Sequence, residues 1–320
     1  MKSISLLNGS KIVLQDCLGV QRNEKVLIVT DDDKHEIGEA LYREAKSLGA
    51  EAILMVMEPQ LVSGVEPPKP IAAAMKNSDV IICPTRSSLT HTNARIDAVQ
   101  SGARIATMPG ITVEMFNKGA ITANYSEVEK LTRKLCELLD KAQIARIEKE
   151  GHVLRMSLNN RKGLASTGVY RNPKESGNLP SGEAYIAPIE DSSNGEVIID
   201  GSMVGIGKLN SPIYMKIKNG KIFEMKGEQT EKLQVLLAND QNATLCELGI
   251  GTNKNAILCG IILEDEKVYG TVHIAFGTNT SFGGTNKADC HMDGIILKPD
   301  LYLDDILLIK QGEFVAEFEL

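Results

Sequence analysis

Tryptophan is absent from this 320-residue chain, and aromatic residues make up only 4% of it. Stacking platforms for single-stranded nucleic acid are therefore not expected. Positive charge is also in short supply: 35 Lys and Arg stand against 42 Asp and Glu, for a net charge of −7. Nucleic acid and anionic membrane surfaces both select basic patches, so neither is expected as a partner. No apolar run approaches the roughly 18 residues that span a bilayer. The opening MKSISLLNGSKIVLQ holds only a three-residue apolar stretch, so no signal peptide is expected. The six cysteines, Cys17, Cys83, Cys136, Cys246, Cys259 and Cys290, form no CxxC pair. That argues against a zinc ribbon or a disulfide framework and for a reducing, cytoplasmic compartment. Neither GxGxxG nor GxxxxGKS/T follows an apolar run, so no dinucleotide or P-loop nucleotide is expected.

What is present is an ordinary globular composition, 42% hydrophobic and 24% charged. At about 150 residues per domain the length suggests two, expected at residues 1–150 and 151–320. In the first, apolar runs alternate with helical spacing. Lys25 to Thr30, Ala52 to Met57, Asp79 to Cys83 and Ala103 to Thr107 read as buried strands. Ile37 to Leu48, Pro70 to Asn77 and Asn93 to Gln100 read as helices between them. Such alternation predicts a parallel sheet in an α/β domain. Asp31 to Asp33 stand at a strand's carboxyl end and read as a solvated loop with a helix N-cap. A long helix is expected from Ser126 to about Glu150, connecting the domains.

Beyond Gly151 the pattern becomes short strands punctuated by Gly and Asn, a β-rich α+β domain. Pro212 to Met225 alternates apolar and polar residues around Asn219-Gly220, a strong hairpin signal. The apolar segment Leu301 to Leu308 would suit a homodimer interface or a core strand equally well.

Chemistry concentrates in this second half. His273 and His291 lie 18 positions apart, and His291 is followed two residues on by Asp293. Residues i and i+2 of a strand share a face, so His291 and Asp293 can aim at one metal. Imidazole with carboxylate suits zinc, cobalt, manganese or iron(II). Glu247 sits in the apolar LCELGIG and Glu183 between two prolines, both unusual settings for a carboxylate.

NLPSGEAYIAP, ELGIGTN, GTVHIAFG and NKADCHMDG resemble, in order, the metal-site motifs of the aminopeptidase T family. Its superfamily includes 2,5-dihydroxypyridine dioxygenase, an iron(II) ring-cleaving enzyme. TRSSLTHTNAR and GARIATMPG resemble that family's N-terminal domain. The resemblance implies metal ligands at Glu183, Glu247, His273, His291 and Asp293. It also implies a tyrosine ligand seven residues after His273, where this chain has Thr280.

The expected activity is that of a metallo-aminopeptidase-like hydrolase with one or two zinc, cobalt or manganese ions, acting on small peptides through a metal-activated water. No general base is identifiable. The alternative is a mononuclear iron(II) dioxygenase acting on a small molecule through His273, His291 and Asp293, favoured by Thr280 and by the short chain. Arg86 and His91, in the loop after the third strand, are candidates for holding a substrate carboxylate.

Overall fold

The structure is a computed structural model that describes residues 2–316 and 318. Contacts divide the chain into two units, Met1–Tyr125 with Gly168–Ser181, and Ser126–Thr167 with Gly182–Leu320. This division does not coincide with a single cut at residue 150. The architecture is the expected one, a parallel-sheet α/β unit followed by a β-rich unit.

The first unit holds a five-stranded sheet, in the spatial order Glu51–Met57, Lys25–Asp31, Val80–Thr85, Arg104–Pro109, Ser176–Asn178, with every pair parallel. Val80–Thr85 is buried throughout, as a continuous apolar run in a central strand requires. Helix His35–Ser47 covers the sheet with Ile37, Leu41 and Ala45. A side chain at Gly38 would press on Thr30 at 2.9 Å, so the glycine permits that close approach. The run Ala52 to Met57 is an edge strand rather than a buried one. Ile53 and Val56 are exposed, because the strand has a partner on one side only. Pro84 lies within its strand.

The second unit is built from two antiparallel sheets that share one core. The eight-stranded sheet supplies Ile147, Leu154, Val197 and Met215, and the seven-stranded sheet Ile186, Leu248, Ile274 and Ile296. Helix Tyr125–Lys141 adds Leu131, Leu135 and Leu139 to that core.

The helix expected to reach Glu150 stops at Lys141. Ile144–Lys149 is instead a strand, paired with His152–Ser157 through a turn at Glu150 and Gly151, both at positive φ. Its alternation of charged and apolar residues suits a half-buried strand as well as a helix face. The hairpin at Asn219-Gly220 forms as expected, both residues at positive φ, between Ile213–Lys218 and Lys221–Lys226. Leu301 to Leu308 falls on strands Asp300–Leu303 and Ile306–Lys310, with Leu301, Leu303 and Leu308 in the core. Among the described residues no helix is long and apolar enough to cross a membrane.

Candidate metal centre

Four neighbouring strands of the seven-stranded sheet carry the centre: His291–Ile296, Val272–Gly277, Leu245–Gly251 and Glu183–Ile186. Their register places Asp293 opposite Ala275, Glu247 opposite Ala275 across the next strand, His273 opposite Gly249, and Glu183 opposite Gly251. Strand alternation sends Leu248, Ile250, Val272, Ile274 and Phe276 into the core and leaves the polar side chains on the other face. Small residues between them make room. A Cβ on Gly249 would lie 2.0 Å from His273 Nε2, so the imidazole lies directly over that glycine.

All five residues expected at the centre are brought together. His273 Nε2 lies 3.4 Å from Glu247 Oε1 and 3.6 Å from Glu183 Oε2. His291 Nε2 lies 3.2 Å from Glu247 Oε2 and 3.3 Å from Asp293 Oδ1. On the other side of its ring, His291 Nδ1 donates to the Thr278 carbonyl at 2.9 Å, which turns Nε2 toward the carboxylates. Glu183, Glu247, His273 and Asp293 are buried.

Two residues that the sequence does not point to join them. Lys267, fully buried, places Nζ 2.5 Å from Glu183 Oε1 and also hydrogen-bonds the Glu266 carboxylate. Glu266 and Lys267 belong to the run Glu264-Asp265-Glu266-Lys267, which reads as solvated charge. The only hint in the sequence is its place just upstream of GTVHIAFG. Phe282 is a third, with no signal in the sequence. Its ring meets those of His291 and Tyr185 edge-on, with centroids 5.8 and 5.5 Å apart.

The electrostatics couple the carboxylates to the imidazoles. Burial pushes the Glu247 carboxyl up, yet the imidazoles of His273 and His291 outweigh it and hold it down, at about 2. Burial pushes His273 down, but the surrounding Glu247, Glu183 and Asp293 raise it to about 9. Burial and the charge of Glu183 push Glu266 up to about 8. His273 Nδ1, His273 Nε2 and Glu183 Oε2 are buried without an aligned hydrogen-bond partner. Orphaned atoms of this kind are rare in a folded interior, and a metal ion would satisfy His273 Nε2 and Glu183 Oε2. Glu247, His273 and Asp293 offer ligand atoms within 4.8 Å of one another, as do Glu183, Glu266 and His273. Donor chemistry and geometry therefore fit a divalent metal.

The other candidates lie in the first unit. Arg86 follows strand Val80–Thr85, with its guanidinium 3.3 Å from Asp33 and its backbone N–H 2.5 Å from the Asp31 carboxylate. His91 is exposed on the same loop, and Thr280 is exposed in the second unit. Asp31 is the expected N-cap, accepting the Lys34 N–H, but it is buried rather than solvated.

Comparison with known proteins decides the affiliation. The sequence model of the NicX family, 2,5-dihydroxypyridine 5,6-dioxygenase, matches residues 6–316. The chain belongs to that family. A curated 2,5-dihydroxypyridine 5,6-dioxygenase of Pseudomonas putida KT2440 is 28% identical over 161 residues, 44% of this chain and 45% of the relative, so the match spans under half of that protein's length. The solved structure of 2,5-dihydroxypyridine dioxygenase from Pseudomonas putida KT2440 superposes with a TM-score of 0.83 at 18% identity, covering 99% of both chains. Wild-type AmpT from Thermus thermophilus superposes at 0.71 and 17% identity, covering 97% of this chain and 99% of AmpT. At these identities the structures attest a shared fold.

The family match overturns the expectation of a metallo-aminopeptidase, and the expected hydrolase and metalloprotease character falls with it. The motifs that suggested it lie on strands of a fold that AmpT shares. A shared fold does not fix the chemistry.

Proposed function

We propose that this chain is a mononuclear iron(II) dioxygenase that opens a hydroxylated pyridine ring, with His273, His291 and Asp293 as the set that holds the metal. The observation that supports it most is the convergence of two imidazoles and a carboxylate on one face of a sheet, in a chain of the 2,5-dihydroxypyridine 5,6-dioxygenase family. Iron(II) held by such a set keeps coordination positions open and supplies the redox partnership with dioxygen.

The chain's own residues do the rest. The Thr278 carbonyl fixes the His291 ring, and Gly249 leaves space for that of His273. Glu247, beside both imidazoles, is placed to orient them and to accept a hydrogen bond from a ring hydroxyl. Phe282 and Tyr185 offer aromatic edges against which a flat ring packs.

The test is an oxygen-electrode assay with iron(II)-loaded protein and 2,5-dihydroxypyridine. The proposal expects loss of the ring chromophore with uptake of an equal amount of dioxygen, and no loss under anaerobic conditions. Ring loss at an undiminished rate without oxygen, or no loss at all, would overturn it.

A further inference from the structure

Two overlapping donor groups stand in the centre, and His273 belongs to both. One is Glu247, His273 and Asp293, with His291 against it; the other is Glu183, Glu266 and His273. The two differ in what already occupies them. Among the described residues, the ion-pair partners of the first group's carboxylates are imidazoles. In the second, both carboxylates are already bonded to one ammonium, that of Lys267.

We infer that the Lys267 ammonium takes the place of a second metal ion and so limits this centre to one. This rests on the metal reading proposed above.

The backbone around Lys267 keeps the ammonium where it is. The short helix Ile262–Asp265 ends just before it, and the Lys267 N–H donates to the Glu264 carbonyl at 3.1 Å. The Lys267 carbonyl accepts the Asn253 N–H at 2.9 Å, tying the residue to the segment that follows strand Leu245–Gly251. The side chain is wholly buried, so the ammonium is held away from water where it stands. Removing its charge from the two carboxylates would leave it unpaired in the interior, which is strongly unfavourable.

An incoming divalent ion would need the oxygens of Glu183 and Glu266 that the ammonium holds. An ammonium has three donors and no acceptor, so it cannot itself serve as a ligand. Metals that share a site sit about 3.5–4 Å apart. A fixed cation on the second group therefore repels the second ion while leaving the first group open.

Lys267 is on this account a positioning residue, and metal count is the readout that separates the role from a merely structural ion pair. Wild-type protein, Lys267→Arg and Lys267→Met are stripped with chelator and equilibrated with Mn2+ alone. Bound ions are counted after desalting, and the electron paramagnetic resonance spectrum is recorded.

The expected result is one ion per chain with an isolated-ion spectrum for wild type and Lys267→Arg. Lys267→Met is expected to bind two ions per chain with an exchange-coupled spectrum. Should Lys267→Met fold only when Mn2+ is present, the ion has replaced the ammonium, and the count is made on the loaded protein.

Two ions per wild-type chain would overturn the inference and leave the metal reading standing. So would one ion in folded Lys267→Met, or failure of that variant to fold even with Mn2+. A wild-type chain that binds no Mn2+ would overturn the metal reading itself, and the inference with it.

Discussion

Asp31 in the parallel sheet and Glu247 in the seven-stranded sheet are both buried strand carboxylates, and their surroundings differ. Asp31 accepts two backbone N–H groups, from Lys34 at 3.1 Å and Arg86 at 2.5 Å, which tie two loops to one strand end. Glu247 faces two imidazoles, in a cluster where His273 and Glu183 keep buried atoms without hydrogen-bond partners. A carboxylate satisfied by backbone holds the fold together. A carboxylate among side chains left incomplete marks a place built for something the chain does not itself supply.

The sharpest way to break this contrast is to remove the shared imidazole. His273→Ala is expected to abolish metal binding and cut ring-cleaving turnover by at least about 1000-fold, roughly 4 kcal/mol of barrier, with the fold kept. Metal analysis and oxygen uptake on the same sample check it, and retained metal with near-normal turnover would move the centre elsewhere.

Gly249→Ala probes the same ring from below. A Cβ 2.0 Å from Nε2 must push the imidazole aside. Metal affinity is expected to weaken about 10- to 100-fold, read by titration with a fluorescent competitor. Unaltered affinity would mean that the ring has another place to sit.

Asp31→Ala should do the reverse. Losing two hydrogen bonds to a charged group is expected to cost about 3 kcal/mol of stability, while turnover per folded molecule stays within a few fold. Denaturant melts and assays on one preparation compare the two, and a large loss of turnover without destabilisation would erase the distinction between the two carboxylates.

The smallest effect is expected at Thr280. The residue is exposed, so Thr280→Tyr should leave metal count unchanged and turnover within about threefold. A second bound ion in that variant would show that position 280 still reaches the centre.

Much of the fold and of the centre is legible in the sequence, for identifiable physical reasons. Period-two alternation puts His291 and Asp293 on one face, and the unusual settings of Glu183 and Glu247 by themselves hint at a role. The parallel sheet follows from its apolar runs, although an apolar run does not reveal that Ile53 and Val56 lie on an edge. Lys267 and Glu266 stay hidden because a charged run looks solvated wherever it lies; only the fold shows that Lys267 is enclosed. The choice between hydrolase and dioxygenase is illegible because the four motifs specify the donor face, while the chemistry depends on which donors are left open.

The central claim is a single metal centre held by His273, His291 and Asp293. Anomalous diffraction at the iron edge, from crystals of iron(II)-loaded protein grown without oxygen, tests it most directly. The account predicts one peak per chain, bounded by the Nε2 atoms of His273 and His291 and the carboxylate of Asp293, with Lys267 still on Glu183 and Glu266. Two peaks within about 4 Å of each other, or a single peak between Glu183 and Glu266 with Lys267 displaced, would contradict it.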